Sequence, residues 1–120
     1  MARVANKVVL LTGASGEVVQ ACAQALIDEG ASVALADPDS AKAEQVAGTL
    51  PPDRVMWLAK EDANEVAWET VIAAVEEHFG GLDVLVNGPP RVLAKSIADM
   101  SIDDLRAIEE TNIVEPWLGL

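Results

Sequence analysis

Residues 7–13 (KVVLLTG) decide the fold of this 120-residue chain, because a continuous apolar run containing valines ends there at a glycine. Such a run is typical of a strand that is buried on both faces of a parallel sheet. Residues 17–29 then follow a helical pattern, which Gly30 is expected to end and whose apolar face carries Val18, Cys22, Ala25 and Leu26. Residues 32–36 (SVALA) read as a second strand. The order predicts two parallel strands joined by a helical crossover.

The same alternation continues through the middle of the chain. After a turn, a short helix is expected to run to about Gly48, and residues 54–58 (RVMWL) form a third strand candidate. The longest helical pattern follows, capped by Asp62 or Asn64, and it runs to Phe79 before a pair of glycines.

The last quarter of the chain repeats the pattern once more. Residues 82–87 (LDVLVN) are a fourth strand candidate. Ser101 begins a capping-box pattern that opens a last helix through about Thr111, and Pro116 is expected to stop or kink it. The order βαβαβαβα predicts an α/β fold of three layers, with a parallel sheet between helices, formed by one domain over residues 1–120.

Composition excludes several classes of protein. The chain has 8 basic and 20 acidic residues, a net charge of −12, which argues against nucleic acid and anionic membranes as partners. Its single cysteine cannot form an intramolecular disulfide, which fits a reducing compartment. No apolar run is long enough to span a bilayer, and the N-terminus lacks the cleavage site of a signal peptide. We therefore expect a cytoplasmic location.

The first strand-to-helix turn, residues 12–17 (TGASGE), is the place to look for a ligand. In parallel sheets, ligands bind beyond the carboxyl ends of the strands. Gly13 and Gly16 would let backbone N–H groups approach a phosphate at the start of a helix. A tight turn that needs glycine whatever binds explains the same residues equally well.

Asp37, at the end of the second strand, also has two interpretations. In dinucleotide-binding folds, an acid there bonds the adenosine ribose hydroxyls and disfavours a 2′-phosphate. Beside Pro38, however, it serves equally well as a turn residue or helix cap.

The remaining chemically distinctive residues have structural explanations. His78, the only histidine, lies near a helix end, where a cation complements the helix dipole. Cys22 is expected on the buried face of the first helix. Trp57, Trp68 and Trp117 are expected to be packing residues, with an interface as the alternative for Trp117. No cysteine or histidine cluster has metal-ligand spacing, so no metal site is predicted.

Several stretches together resemble the short-chain dehydrogenase/reductase family. Residues 7–16 and 25–37 (KVVLLTGASG and ALIDEGASVALAD) resemble its first βαβ unit, and residues 80–87 (GGLDVLVN) its fourth strand. Residues 99–117 (DMSIDDLRAIEETNIVEPW) resemble its next helix, with Asn112 at the place of a catalytic asparagine. The resemblance covers the whole chain but only the front half of the family fold. It implies a Rossmann-like sheet in the order 3-2-1-4.

The resemblance implies a cofactor site whose motifs are altered. The family's common phosphate loop, TGxxxGxG, would place Glu17 and Val19 at two of its glycines, whereas the TGxxGxxG loop of the extended branch departs only at Val19. The family's Asn-Asn-Ala-Gly becomes Asn87-Gly88-Pro89-Pro90, whose prolines remove backbone donors. Carried over by motif, the candidate cofactor-binding residues are Thr12, Gly13, Ser15, Gly16, Asp37, Asp62, Asn87 and Gly88.

The family's catalytic set is almost entirely missing from these residues. The family's Ser, Tyr and Lys lie beyond the matched half, the sequence contains no tyrosine, and only Asn112 remains as a remnant. We therefore expect that the chain on its own is not an enzyme. The strand at 82–87 would become an apolar sheet edge, which invites pairing with another chain. This edge and the C-terminal helix predict a homo-oligomer or a complex with a full-length paralogue.

Three hypotheses about function follow. The first, which we favour, is a non-catalytic relic that acts as an oligomerising or partner-binding subunit. The second is a weak NAD(H)-binding module, in which Asp37 would repel the 2′-phosphate of NADP(H). The third is an oxidoreductase completed by residues from another chain. No tightly bound cofactor is expected, and NAD is the candidate for weak binding.

Overall fold

A computed structural model of the chain describes residues 2–14, 16–60 and 64–120. Four parallel strands form one sheet in the order β3-β2-β1-β4, which confirms the predicted fold class and strand order. The strands are β1 (Val8–Thr12), β2 (Ser32–Asp37), β3 (Val55–Ala59) and β4 (Val84–Val86). The fourth strand is therefore shorter than the predicted 82–87.

Helices cover both faces of this sheet, which makes three layers. They are α1 (Glu17–Asp28), α2 (Ser40–Ala47), α3 (Glu65–Phe79), α4 (Ile102–Glu109) and α5 (Glu115–Gly119). All five residues of β1 are buried: Val9 and Leu11 pack in the layer of α1 and α2, while Val8 and Leu10 pack in the layer of α3. Burial on both faces explains why the first strand reads as a continuous apolar run.

Local caps fix the bounds of the helices. The Asn64 side chain accepts a hydrogen bond from the backbone N–H of Ala67 at 3.1 Å, which begins α3. Gly80, with φ +87°, ends the same helix in the left-handed conformation. Asp39 caps α2 by accepting from the N–H groups of Ala41 and Lys42. Asp62, the alternative cap for α3, lies outside the described residues.

The C-terminal helix is longer than predicted. Ser101 and Asp104 form the expected reciprocal capping box at the start of α4. Hydrogen bonds from the Lys95 ammonium and from Ser101 lower the pKa of Asp104 from its ordinary 3.8 to about 2. The helix does not end near Thr111, because a π-helical segment at Glu110–Val114 carries it into α5. Pro116 therefore does not stop the helix, and it lies in the first turn of α5 directly after the π-helical segment.

The face that α1 buries differs from the predicted one. Val19 and Ala23 are buried, whereas Val18 is 67% exposed and both Cys22 and Ala25 are exposed. The expected core position of Cys22 is therefore wrong. Both faces of α1 are apolar at helical spacing, so the pattern could not indicate which one packs on the sheet.

The tryptophans also divide differently than predicted. Trp68 is 2% exposed and packs in the core, as expected. Trp57 is 41% exposed because it lies on β3, an edge strand, and Trp117 is 69% exposed near the end of the chain. These two residues therefore lie outside the core, and the interface alternative for Trp117 stays a prediction.

Candidate functional site

A small cleft lies where β1 and β4 end. These two strands are neighbours and parallel, so the turns that follow them meet at the same edge of the sheet. The cleft has a volume of about 60 Å³. Four of the predicted cofactor residues, Thr12, Gly13, Asn87 and Gly88, line it together with Pro89, Thr111, Glu115 and Pro116. The structure thus brings together half of the predicted site.

The turns after β1 and β4 are joined by a close backbone contact. The N–H of Gly88 donates to the Thr12 hydroxyl oxygen at 2.9 Å, and Thr12 is buried. A β-carbon added to Gly88 would lie 2.2 Å from the carbonyl oxygen of Thr12. Residue 88 must therefore be glycine for the two turns to approach this closely.

The glycine turn after β1 is covered by a proline ring. Gly13 has φ +64°, a conformation that favours glycine, and Gly16 is the N-cap of α1. The nearest atoms to an ideal β-carbon on these glycines include Pro89 Cδ, 3.5 Å away at Gly13, and Pro89 Cγ, 3.8 Å away at Gly16. The Pro89 ring therefore faces both glycines, with room for about one β-carbon between the ring and each of them. Ser15, predicted from the same turn, lies outside the described residues.

Asp37 is buried at the end of β2 and is not among the residues that line the cleft. Its Oδ1 atom accepts a hydrogen bond from the N–H of Asp39 at 2.8 Å, which is the geometry of a turn residue. This contact fits the interpretation of Asp37 as a turn residue. Its interpretation as a residue that bonds the adenosine ribose stays a prediction. Asp62, the other acid predicted at this end of the sheet, lies outside the described residues.

The two asparagines of the candidate site have contrasting surroundings. The Oδ1 atom of Asn87 is buried and has no hydrogen-bond partner within the described residues. The Asn112 amide instead makes two hydrogen bonds to the backbone of Arg91, accepting from its N–H at 2.8 Å and donating to its carbonyl at 2.9 Å. Asn112 therefore holds the loop that follows β4.

Sequence reasoning missed a buried ion pair beside the cleft. The Lys60 ammonium donates to the Glu115 carboxylate, and these side chains are only 3% and 10% exposed. The same ammonium lies 4.3 Å from the centre of the Trp68 ring, within the range of a cation–π contact. Because Glu115 belongs to α5 and lines the cleft, the pair fixes one wall of the cleft against the end of β3. The two residues are 55 positions apart, and no local pattern links them.

An apolar groove runs along the other side of β4. It is formed by Val18, Cys22 and Ala25 of α1 and Val86 of β4, and we name it the α1–β4 groove. Two adjoining cavities of about 450 and 300 Å³ lie in it, with Cys22 and Val86 in the walls of both. In the described part of the chain, β4 pairs only with β1, so its outer edge is open.

Neither a metal centre nor a membrane span is found within residues 2–14, 16–60 and 64–120. That part of the chain has no group of three or more His, Cys, Asp or Glu side chains that could hold a metal ion. It also contains no helix with the length and apolar character needed to cross a bilayer. His78 is exposed at the end of α3, where its ring meets Phe79 edge to face.

Residues 7–118 match the family model described as short chain dehydrogenase. Meso-2,3-butanediol dehydrogenase of Serratia marcescens is 38% identical over 108 residues, which are 90% of this chain and 43% of that protein. An uncharacterised oxidoreductase of Staphylococcus aureus (strain USA300) is 32% identical over 108 residues, 90% of this chain and 47% of the relative. The chain therefore spans less than half the length of these relatives.

Two solved structures also superpose closely on this chain. A short-chain dehydrogenase/reductase of the glucose/ribitol dehydrogenase type from Brucella melitensis superposes with a TM-score of 0.89 at 28% identity, covering 96% of this chain and 49% of that one. The 3-ketoacyl-(acyl-carrier-protein) reductase from Brucella melitensis, solved with NADH, has a TM-score of 0.89 at 26% identity and covers 97% and 48%.

Proposed function

Because this chain belongs to the short-chain dehydrogenase family, we propose that its 120 residues act as a non-catalytic, partner-binding subunit derived from an NAD(P)-dependent oxidoreductase. The partner that we propose is a second copy of the chain. The observation that carries this proposal is the open edge of β4 beside the apolar α1–β4 groove.

The edge of β4 offers both backbone and side-chain contacts. Its outer N–H and C=O groups can pair with a strand, and Val84 is 38% exposed. Two copies related by a two-fold axis would present the same edge and groove to each other, which is the usual geometry of a homodimer. One cavity of the groove is lined by uncharged side chains, and the charged residues of the other, Arg3 and Glu29, form an ion pair, so the acidic excess of the chain is not concentrated there.

The C-terminal helices supply a second apolar surface. In α4 no residue is buried, and both Ile102 and Leu105 are about half exposed, at 57% and 48%. Trp117 and Leu120, near the end of the chain, are also exposed, at 69% and 94%. Exposed tryptophan and leucine beside an open strand favour a protein partner, because aromatic residues are enriched at interfaces.

Two features support the absence of catalysis by these residues. The sequence contains no tyrosine to serve as the family's proton donor. The Asn112 amide, at the place of the family's catalytic asparagine, is engaged by the Arg91 backbone. We infer that Asn112 serves here to hold a loop.

A lysine on the open edge tests this proposal. We expect Val84→Lys to weaken self-association at least about tenfold, since it would place a charge in a desolvated strand pairing. Sedimentation velocity over a range of protein concentrations measures the effect. Val92→Lys is the matched control, because Val92 is 83% exposed and lies outside the strands. A wild-type chain that stays monomeric, or equal weakening by both substitutions, would contradict the proposed interface.

Weak binding of NAD(H) is the second candidate function. The left-handed Gly13 directly after β1 and the acid at the end of β2 favour it. The cleft itself opposes it, because about 60 Å³ is far smaller than the roughly 300 to 1,000 Å³ of ligand pockets. The cavity of about 300 Å³ that Asn87 and Gly88 also line has the apolar side chains Leu11, Val18 and Val19 in its walls. With Pro89 against the glycine turn, the described residues do not fit a dinucleotide.

A further inference from the structure

We propose that Pro89 is an internal plug, which occupies the glycine turn and keeps it from binding a dinucleotide pyrophosphate. This inference deepens the proposed non-catalytic role and rests on it. The ring faces both turn glycines, with Pro89 Cδ and Cγ at ordinary van der Waals distance, 3.5 and 3.8 Å, from the β-carbons that residues 13 and 16 would carry if they were not glycine. A phosphate needs that space to reach the backbone N–H groups at the start of α1.

Gly88 allows the plug to reach the turn. Its α-carbon lies so close to β1 that an added β-carbon would stand 2.2 Å from the Thr12 carbonyl oxygen and 3.0 Å from the Gly13 α-carbon. Any larger residue at 88 would hold the loop away from the turn. The glycine at 88 and the proline at 89 therefore act together, one permitting the approach and the other filling the space.

The plug segment is anchored on both sides of Pro89. On one side, the Gly88 N–H donates to the Thr12 hydroxyl at 2.9 Å. On the other side, the Asn112 amide accepts from the Arg91 N–H and donates to the Arg91 carbonyl. A ligand would have to break these contacts in order to move the ring. Its apparent affinity falls by the fraction of molecules in which the turn is open.

The test is a calorimetric titration with NADH of the wild type, Pro89→Ala and Pro90→Ala. Pro90→Ala is the matched control, because it also removes a proline from this loop, while none of the atoms nearest to the two glycine positions belongs to Pro90. We expect no saturation of the wild type or of Pro90→Ala at millimolar NADH. We expect Pro89→Ala to bind at least about tenfold more tightly, since the open fraction rises.

Two results would overturn the plug. One is tight NADH binding by the wild type, and the other is equal affinity of Pro89→Ala and Pro90→Ala. Self-association of the same samples, measured by sedimentation, reports separately on the proposed function. If the titration overturns the plug but the wild type still self-associates, the proposed interface stands. If the wild type is monomeric, the proposed interface is contradicted, whatever the titration gives.

Discussion

Replacement of Lys60 by methionine is expected to lower the free energy of unfolding by about 3 to 5 kcal/mol, the usual cost of breaking a buried ion pair. The substitution keeps much of the apolar volume under Trp68 but removes the ammonium that bonds Glu115. The Glu115 carboxylate, whose side chain is 10% exposed, would then lose its counter-charge inside the protein. Urea unfolding followed by circular dichroism measures the change.

Two further variants separate the ion pair from packing. Lys60→Met combined with Glu115→Leu removes both charges, and it should regain most of the lost stability because no unpaired charge remains. Lys95→Met breaks the more exposed pair with Asp104, and it should lower the free energy of unfolding far less, since exposed ion pairs contribute little to stability. If Lys60→Met cost no more than Lys95→Met, the buried pair would not hold α5 to the sheet.

Gly88→Ala is expected to lower the free energy of unfolding by about 2 to 3 kcal/mol, which is in the range measured for overpacked sites. The new β-carbon would meet the backbone of Thr12 at 2.2 Å, and Thr12 ends the central strand of the sheet. Moving the backbone of a strand that is hydrogen-bonded on both sides requires more energy than moving a flexible side chain. Guanidinium unfolding measures the loss of stability.

Gly81→Ala is the matched control for this substitution. A β-carbon at Gly81 would meet no atom within 4 Å, and the residue does not have a positive φ. Its stability should therefore remain within about 0.5 kcal/mol of the wild type or rise slightly. Equal stability of the two alanine variants would show that the turns after β1 and β4 are not in close contact.

The parts of the fold that the sequence predicted well are those set by local chemistry. The valine-rich run ending at Gly13 requires burial on both faces, and the structure buries all of β1. The caps at Asn64 and Ser101 depend only on residues three positions away, so their patterns identified the starts of α3 and α4. The strand order was predicted from the resemblance to the family, since local patterns alone do not give it.

The parts that could not be predicted depend on contacts between distant residues. Pro89 approaches Gly13 because the loop is held by a hydrogen bond between Gly88 and Thr12. These two residues are 76 positions apart in the sequence. The Lys60–Glu115 pair joins residues 55 positions apart, and each charge looks like a solvated surface residue in the sequence. The buried face of α1 was misassigned because both of its faces are apolar. A periodic pattern shows that a face is apolar but not what covers it.

The rate at which Cys22 is alkylated tests the central claim most directly. Cys22 is the only cysteine of the chain, and its exposed thiol lies in the α1–β4 groove. If a second copy covers this groove, alkylation by iodoacetamide should slow as the protein concentration rises, and Val84→Lys should restore the fast rate. An alkylation rate that is independent of concentration in the wild type would contradict the proposal that the groove is a self-association surface.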